Sequence, residues 1–89
     1  MTLDQLQRKK PATIIGFNSS HPELEIRLRE IGFAEGDSVE TLHVGLFNKN
    51  PISVRLNGAI IALRRQDASA IKIDFLDPSS NDILSDETN

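Results

Sequence analysis

Two histidines, His21 and His43, are the only imidazoles in this chain of 89 residues, and there is no cysteine. A protein-held zinc or iron ion needs three or four donor groups brought to one point, most simply by paired ligands a helical turn or a short loop apart. His21 and His43 lie on different segments and form no His-x-x-x-His pair. His21 belongs with the start of a helix and His43 with the edge of a strand, so neither a metal site nor a cofactor is expected. Nucleophilic catalysis fares no better. Serine, histidine and aspartate are scattered, with no Gly-x-Ser-x-Gly elbow and no glycine-rich phosphate loop. Without these groups the side chains carry no reaction centre, and the expectation is a protein that is not an enzyme and works through its surface.

Composition narrows which surface. The formal net charge is −3, with four phenylalanines and no tryptophan or tyrosine. Single-stranded nucleic acid is held by basic grooves and stacked aromatic rings, and an acidic chain with dispersed phenylalanines offers neither. Arg8, Lys9, Lys10, Arg64 and Arg65 therefore read as a solvated surface rather than a phosphate contact. No apolar run approaches the ~18 residues of a membrane span, and the opening MTLDQLQRKK lacks the apolar region of a signal peptide. A soluble cytoplasmic protein is expected, and the lack of cysteine fits a reducing compartment.

Charge is also unevenly placed. Four of the 13 acidic residues, Asp77, Asp82, Asp86 and Glu87, lie beyond Leu76, which leaves nine against the 10 basic residues in a near-neutral body. The end, DPSSNDILSDETN, is polar except for Ile83 and Leu84 and cannot offset its ordering entropy by burial. Residues 1–76 thus read as one small domain and 77–89 as a disordered acidic tail, with a short linear motif at Ile83-Leu84 as the functional alternative.

The elements that must carry a working surface come next. In ELEIRLREIGFAEG, residues 23–36, Leu24, Ile26 and Leu28 alternate as in a strand, while Leu24, Leu28 and Ile31 recur at helical spacing. Ser20-His21-Pro22-Glu23 supplies a capping hydroxyl and a carboxylate three residues on, Pro22 fits a first turn, and Gly32 is a stop. Glu23 with Arg27 and Glu25 with Arg29 are opposite charges four apart, each worth ~0.2–0.5 kcal/mol to a helix. The spacing therefore predicts a helix, and Ile26, on the far side from Leu24, is left exposed.

Elsewhere turn signals cut the chain into short apolar runs. ATIIGF (12–17), apolar on both faces, predicts a strand bent at Gly16 between two layers; Ala34 to Asp37 predicts a turn, and SVETLHV (38–44) a second strand. PISVRLNGAIIALR predicts a hairpin on a type I′ turn at Asn57-Gly58, which pairs Leu56 with Ala59, Val54 with Ile61 and Ile52 with Leu63 on a core face. Arg55 then opposes Ile60, and Ser53 opposes Ala62, on the other face. Asp67 to Ala70 predicts one helical turn, and AIKIDF a last strand with Ile71, Ile73 and Phe75 inward. Five strands and one short helix predict an all-β barrel of the SH3 type.

RLREIGFAEG (27–36), NPISVRLNGAIIALR (50–64) and DASAIKI (67–73), in that order, resemble the FeoA family, small cytoplasmic partners of the bacterial ferrous iron transporter. The resemblance spans about residues 3–75 and is most specific at Arg27-Leu28, Ile31-Gly32, Gly36 and the Gly58–Arg64 stretch. Leu28, Gly32, Gly36, Asn57 and Gly58 are its structural marks. The chain departs from the usual pattern at Arg8-Lys9-Lys10, where many members carry glycine, and at Asn50, where aspartate is frequent. The resemblance implies an adaptor that docks on the cytoplasmic GTPase domain of the ferrous iron permease and tunes its cycle. Similar domains end metal-dependent repressors, which is the alternative role, and small RNA-binding barrels are a remoter one.

Candidate contact residues come from the chain itself. Leu46 and Phe47, in VGLFNKN, fall where glycine and asparagine predict a loop, and an apolar pair at a loop tip either meets a partner or folds back over the barrel mouth. Ile60 and Ile26 are weaker candidates. Arg27 either meets an acidic partner or pairs internally with Glu23 or another carboxylate.

Overall fold

The computed structural model describes residues 1–18 and 20–75. The acidic tail expected at 77–89, with its Ile83-Leu84 motif, lies outside the described residues. Five strands, β1 (Pro11–Phe17), β2 (Ser38–Phe47), β3 (Asn50–Leu56), β4 (Ala59–Leu63) and β5 (Ile71–Phe75), pair antiparallel in the order β4-β3-β2-β1-β5. Helix α1 (Pro22–Ile31) connects β1 to β2, and the single turn α2 (Arg65–Ala68) connects β4 to β5.

Local chemistry explains each element. α1 starts with Pro22, whose missing N–H costs nothing in a first turn. The cap is one residue later than the sequence suggests. The His21 carbonyl accepts from Leu24 and Glu25 (both 3.1 Å), while the Ser20 hydroxyl donates to Asn18 Oδ1 (2.7 Å), so the expected Ser20–Glu23 capping box does not form. Gly32 ends the helix at φ 132°, donating to Leu28 O and Arg29 O (3.2 and 3.1 Å). Leu28 is buried and Ile26 exposed, as the helical period requires. Ile31 is not the core residue that spacing predicts, because the reversal at Gly32 sends Phe33 inward instead. Its N–H bonds Leu28 O at 3.1 Å and its ring is buried.

β1 corrects another expectation. Its register against β5 shifts between Ile14 and Gly16, from Ile14↔Ile73 to Gly16↔Lys72. The extra residue, Ile15, is left exposed while Ala12, Ile14 and Phe17 point inward. The shift brings Phe17 to the same face as Ala12 and Ile14, so β1 buries one face and leaves Ile15 in solvent instead of lying between two layers. The β3–β4 hairpin keeps all five expected pairs, from Leu56↔Ala59 to Ile52↔Leu63, on a turn with φ 51° at Asn57 and 84° at Gly58. In β5, Ile71 and Ile73 are buried, but Phe75 is 38% exposed. It ends the strand at the rim, beside Met1 and Leu6, beyond the reach of the core.

Leu3 and Leu6, from a 3₁₀ turn at Leu3–Gln5, close the remaining side of the core. The same arm covers the outer edge of β5, where Thr2 pairs with Lys72 and Ile73 N–H donates to Met1 O at 2.9 Å. No helix among the described residues is long and apolar enough to cross a membrane.

Candidate docking surface

β2 does not stop at Val44. It runs on through Gly45, Leu46 and Phe47, and Phe47 pairs with Asn50. The expected loop between Val44 and Pro51 shrinks to a two-residue turn, because Asn48 (φ 54°) and Lys49 (φ 63°) both take the left-handed conformation that such a hairpin demands. Gly45 is no turn residue. A Cβ there would fall on the backbone carbonyl of Asn50, so only glycine lets the two strands approach this closely beside the register shift between Val44 and Phe47. The product is a two-stranded ribbon whose end presents Leu46, 91% exposed, and Phe47, 83% exposed. They do not fold back over the barrel.

The turn end of this ribbon is tied to α2. Asn50 Oδ1 accepts from Arg65 N–H at 2.6 Å, which satisfies a first-turn donor of α2 from fifteen residues away. Within α2, Asp67 is nearly enclosed and receives Arg64 through two bonds (3.1 and 3.2 Å), with Arg27 of α1 at 3.9 Å. Arg27 therefore leans on Asp67 rather than Glu23, leaving its guanidinium more than half exposed. On the opposite flank of α1, Arg29 stacks over the Phe17 ring at 4.5 Å, bonds Glu25 (3.0 Å) and clasps Glu35 with two hydrogen bonds (2.8 and 2.7 Å). That clasp holds the Glu35 carboxyl down at about 2, with a further backbone hydrogen bond, and raises the Arg29 guanidinium.

The five candidate contact residues are not one patch. Ile60 is exposed but pairs with Arg55, five residues along β3 from Asn50, roughly 17 Å from the apolar tip. Ile26 lies on the outer side of α1. Leu28, Gly32, Gly36, Asn57 and Gly58 do structural work: Gly36, at φ 93°, donates to Ile14 O (2.8 Å), and Asn57 Nδ2 donates to Asp37 Oδ2 (3.3 Å). Between α1 and α2 lies a groove of about 430 Å³ lined by His21, Leu24, Arg27, Arg64 and Asp67, mixed in charge.

Among the described residues no group of three His, Cys, Asp or Glu side chains converges. Glu40 and His43 have the Glu-x-x-His spacing, but on a strand, where that spacing does not bring side chains together as it does on a helix. His43 is exposed on β2 beyond Glu40, where pairing with β1 has ended and only β3 is bonded, so it lies at a local strand edge.

Sequence reasoning missed three parts of this region. The Arg64–Asp67 pair carries an i,i+3 signal that could have been found. The Asn50–Arg65 bond and the crowding at Gly45 are long-range consequences of the fold and have no local signature.

The model of the FeoA domain matches residues 1–74. The chain belongs to the FeoA family. Its fold is SH3-like, one associated with ferrous iron transport. The FeoA-like protein from Clostridium acetobutylicum superposes with a TM-score of 0.77 at 21% identity, over 85% of this chain and 86% of that one. FeoA from Stenotrophomonas maltophilia, solved with zinc and described as an SH3 domain protein and candidate activating factor for ferrous iron transport, gives 0.72 at 28% identity, over 83% and 89%. A manganese-dependent transcriptional repressor gives 0.76 at 21% identity, over 85% of this chain but 41% of the repressor, a likeness of fold to part of it. No curated protein matches by sequence.

Proposed function

We propose that this FeoA-family chain is a non-catalytic cytoplasmic adaptor that docks on the GTPase domain of the ferrous iron permease and tunes iron uptake. The observation that carries this reading is the apolar pair Leu46–Phe47, held out in solvent by a two-residue turn instead of being spent on the core. Leaving two large apolar side chains bare forgoes roughly 3 kcal/mol or more of burial, a loss that a partner's groove would restore. A tip whose backbone is already paired across its turn would lose less freedom on docking than an open loop. Arg27 and the solvent-facing side of α1 would form a polar margin on the α2 side of the ribbon. Recruitment to the inner face of the membrane would follow from the partner alone.

The test is a titration of the chain into the cognate GTPase domain without nucleotide, with GDP and with a GTP analogue, following heat and GTP turnover. A saturable heat in at least one state supports the reading, and no heat in any state contradicts it.

A second reading has its own observation. The superposition on part of a manganese-dependent repressor fits a module that acts beside a metal-regulated DNA-binding protein. Saturable binding to such a repressor, with none to the GTPase domain, would select it.

A further inference from the structure

The two outer strands of the sheet, β4 and β5, are finished differently. The free side of β5 is occupied by the chain's own N-terminal arm, which bridges Thr2 to Lys72 and lets Ile73 N–H donate to Met1 O. β5 also carries Lys72 and Asp74, charges of the kind that keep an edge from pairing with another chain. β4 has none of these devices. Its sequence, AIIAL, contains no charge and no proline, and its register on β3 runs unbroken from Ala59 to Leu63. Among the described residues no backbone hydrogen bond reaches it from any element but β3.

The alternation of an antiparallel pair fixes which of its groups are free. The two-residue turn makes Leu56↔Ala59 a hydrogen-bonded pair, as Val54↔Ile61 and Ile52↔Leu63 then are, so the N–H and C=O of Ile60 and of Ala62 point away from β3. The side chains of the same two residues are exposed, Ile60 by 67%.

We propose that β4 pairs with β4 of a second copy, antiparallel about a two-fold axis at Ile61. In that register Ile60 of each chain lies opposite Ala62 of the other and the two residues exchange both backbone bonds, so every outward group of both edges is used. Each large side chain meets a small one. Charge agrees with this register. Arg64 continues β4 in extended conformation (ψ 150°), and its guanidinium is 61% exposed even with Asp67 bound; it comes opposite Gly58 of the second copy, beside the turn where Asn57 holds Asp37. The contact is isologous, so it closes at two chains. Two five-residue edges cover less than the ~1,200 Å² of a stable interface, which makes the pairing weak and confines it to high local concentration. The apolar tip stays free, and the inference is independent of what the tip meets.

Sedimentation equilibrium of the intact chain from about 20 µM to about 1 mM reads the pairing, with an average mass that should rise from that of one chain towards that of two. Over the same series the amide shifts of Gly58 and Ala59–Arg64 should move, and those of Thr2 and Lys72 should not. Ile60→Lys charges the open edge while leaving the β3 bonds in place, and should stay monomeric throughout with an unchanged urea midpoint. Leu46→Ser/Phe47→Ser should associate like the parent. Because the chain has no cysteine, oxidation by dioxygen reads the register. Ile60→Cys mixed with Ala62→Cys should form the mixed cross-link faster than either links to itself, since opposite Cβ atoms lie ~5 Å apart and diagonal ones ~7–8 Å. A single-chain mass at the highest concentration overturns the proposal. So does association that survives Ile60→Lys or is lost in the tip variant, and so does Ile60→Cys linking fastest to itself.

Discussion

The two hairpins that share β3 use the same turn geometry for opposite purposes. At one end, Asn57 and Gly58 take positive φ, and the turn lets Val54 and Leu56 be buried with Ile61 packed against the core. At the other, Asn48 and Lys49 take positive φ too, although lysine is strained there and glycine would not be. That turn places Leu46 and Phe47 in water. One hairpin converts apolar side chains into stability; the other withholds them from it. The difference separates what holds the domain together from what it leaves in water.

The contrast can be broken most severely at the first hairpin. Val54→Asp puts a charge at a fully buried site, losing the valine's burial and adding an unpaired carboxylate, so a cost above about 4 kcal/mol and loss of the cooperative urea transition are expected. Leu46→Ser with Phe47→Ser should shift the same transition by no more than ~0.5 kcal/mol per site. Gly45→Ala comes next, since the added methyl meets the Asn50 carbonyl and must push the ribbon's strands apart. A loss of ~1–3 kcal/mol is expected, with amide shifts that move from Val44 to Pro51's neighbours and leave the β3–β4 turn unchanged. Asn50→Ala removes the bond to Arg65 N–H and should cost ~1 kcal/mol by chemical denaturation, with faster amide exchange in α2.

The smallest effect lies away from both hairpins, at Glu35. Its folded carboxyl titrates at about 2 against an ordinary value of 4.5, so its clasp with Arg29 stabilises the domain above pH ~4.5. That contribution fades as pH falls towards 2. Both groups face solvent, so the slope will be shallow, and Glu35→Gln should flatten it in a melting-temperature series across that window.

Much of the fold was legible because short-range chemistry fixes it. Asn57-Gly58 determines the β3–β4 register, Pro22 and Gly32 bound α1, and alternation finds Ile71 and Ile73. The misreadings share a cause. Ile31 and Phe75 look like core residues by periodicity, yet a helix reversal and the barrel rim leave them exposed, while Phe17, outward by alternation with Ile14, is turned inward by the bulge; all three are set by packing at a distance. The site was half legible. Leu46 and Phe47 stood out as an apolar pair among turn-formers, but Gly45-x-x-Asn48 reads as loop, because only the cross-strand approach of Asn50 reveals that the glycine serves the strand.

The most direct measurement of the central claim sets the two hairpins against each other in binding. The intact chain, Leu46→Ser/Phe47→Ser and Ile60→Ser are titrated into the permease GTPase domain, after each is shown to unfold at the same urea midpoint. The account predicts that the tip variant binds at least about tenfold more weakly while Ile60→Ser binds like the parent. Equal affinity of the tip variant and the parent would contradict it.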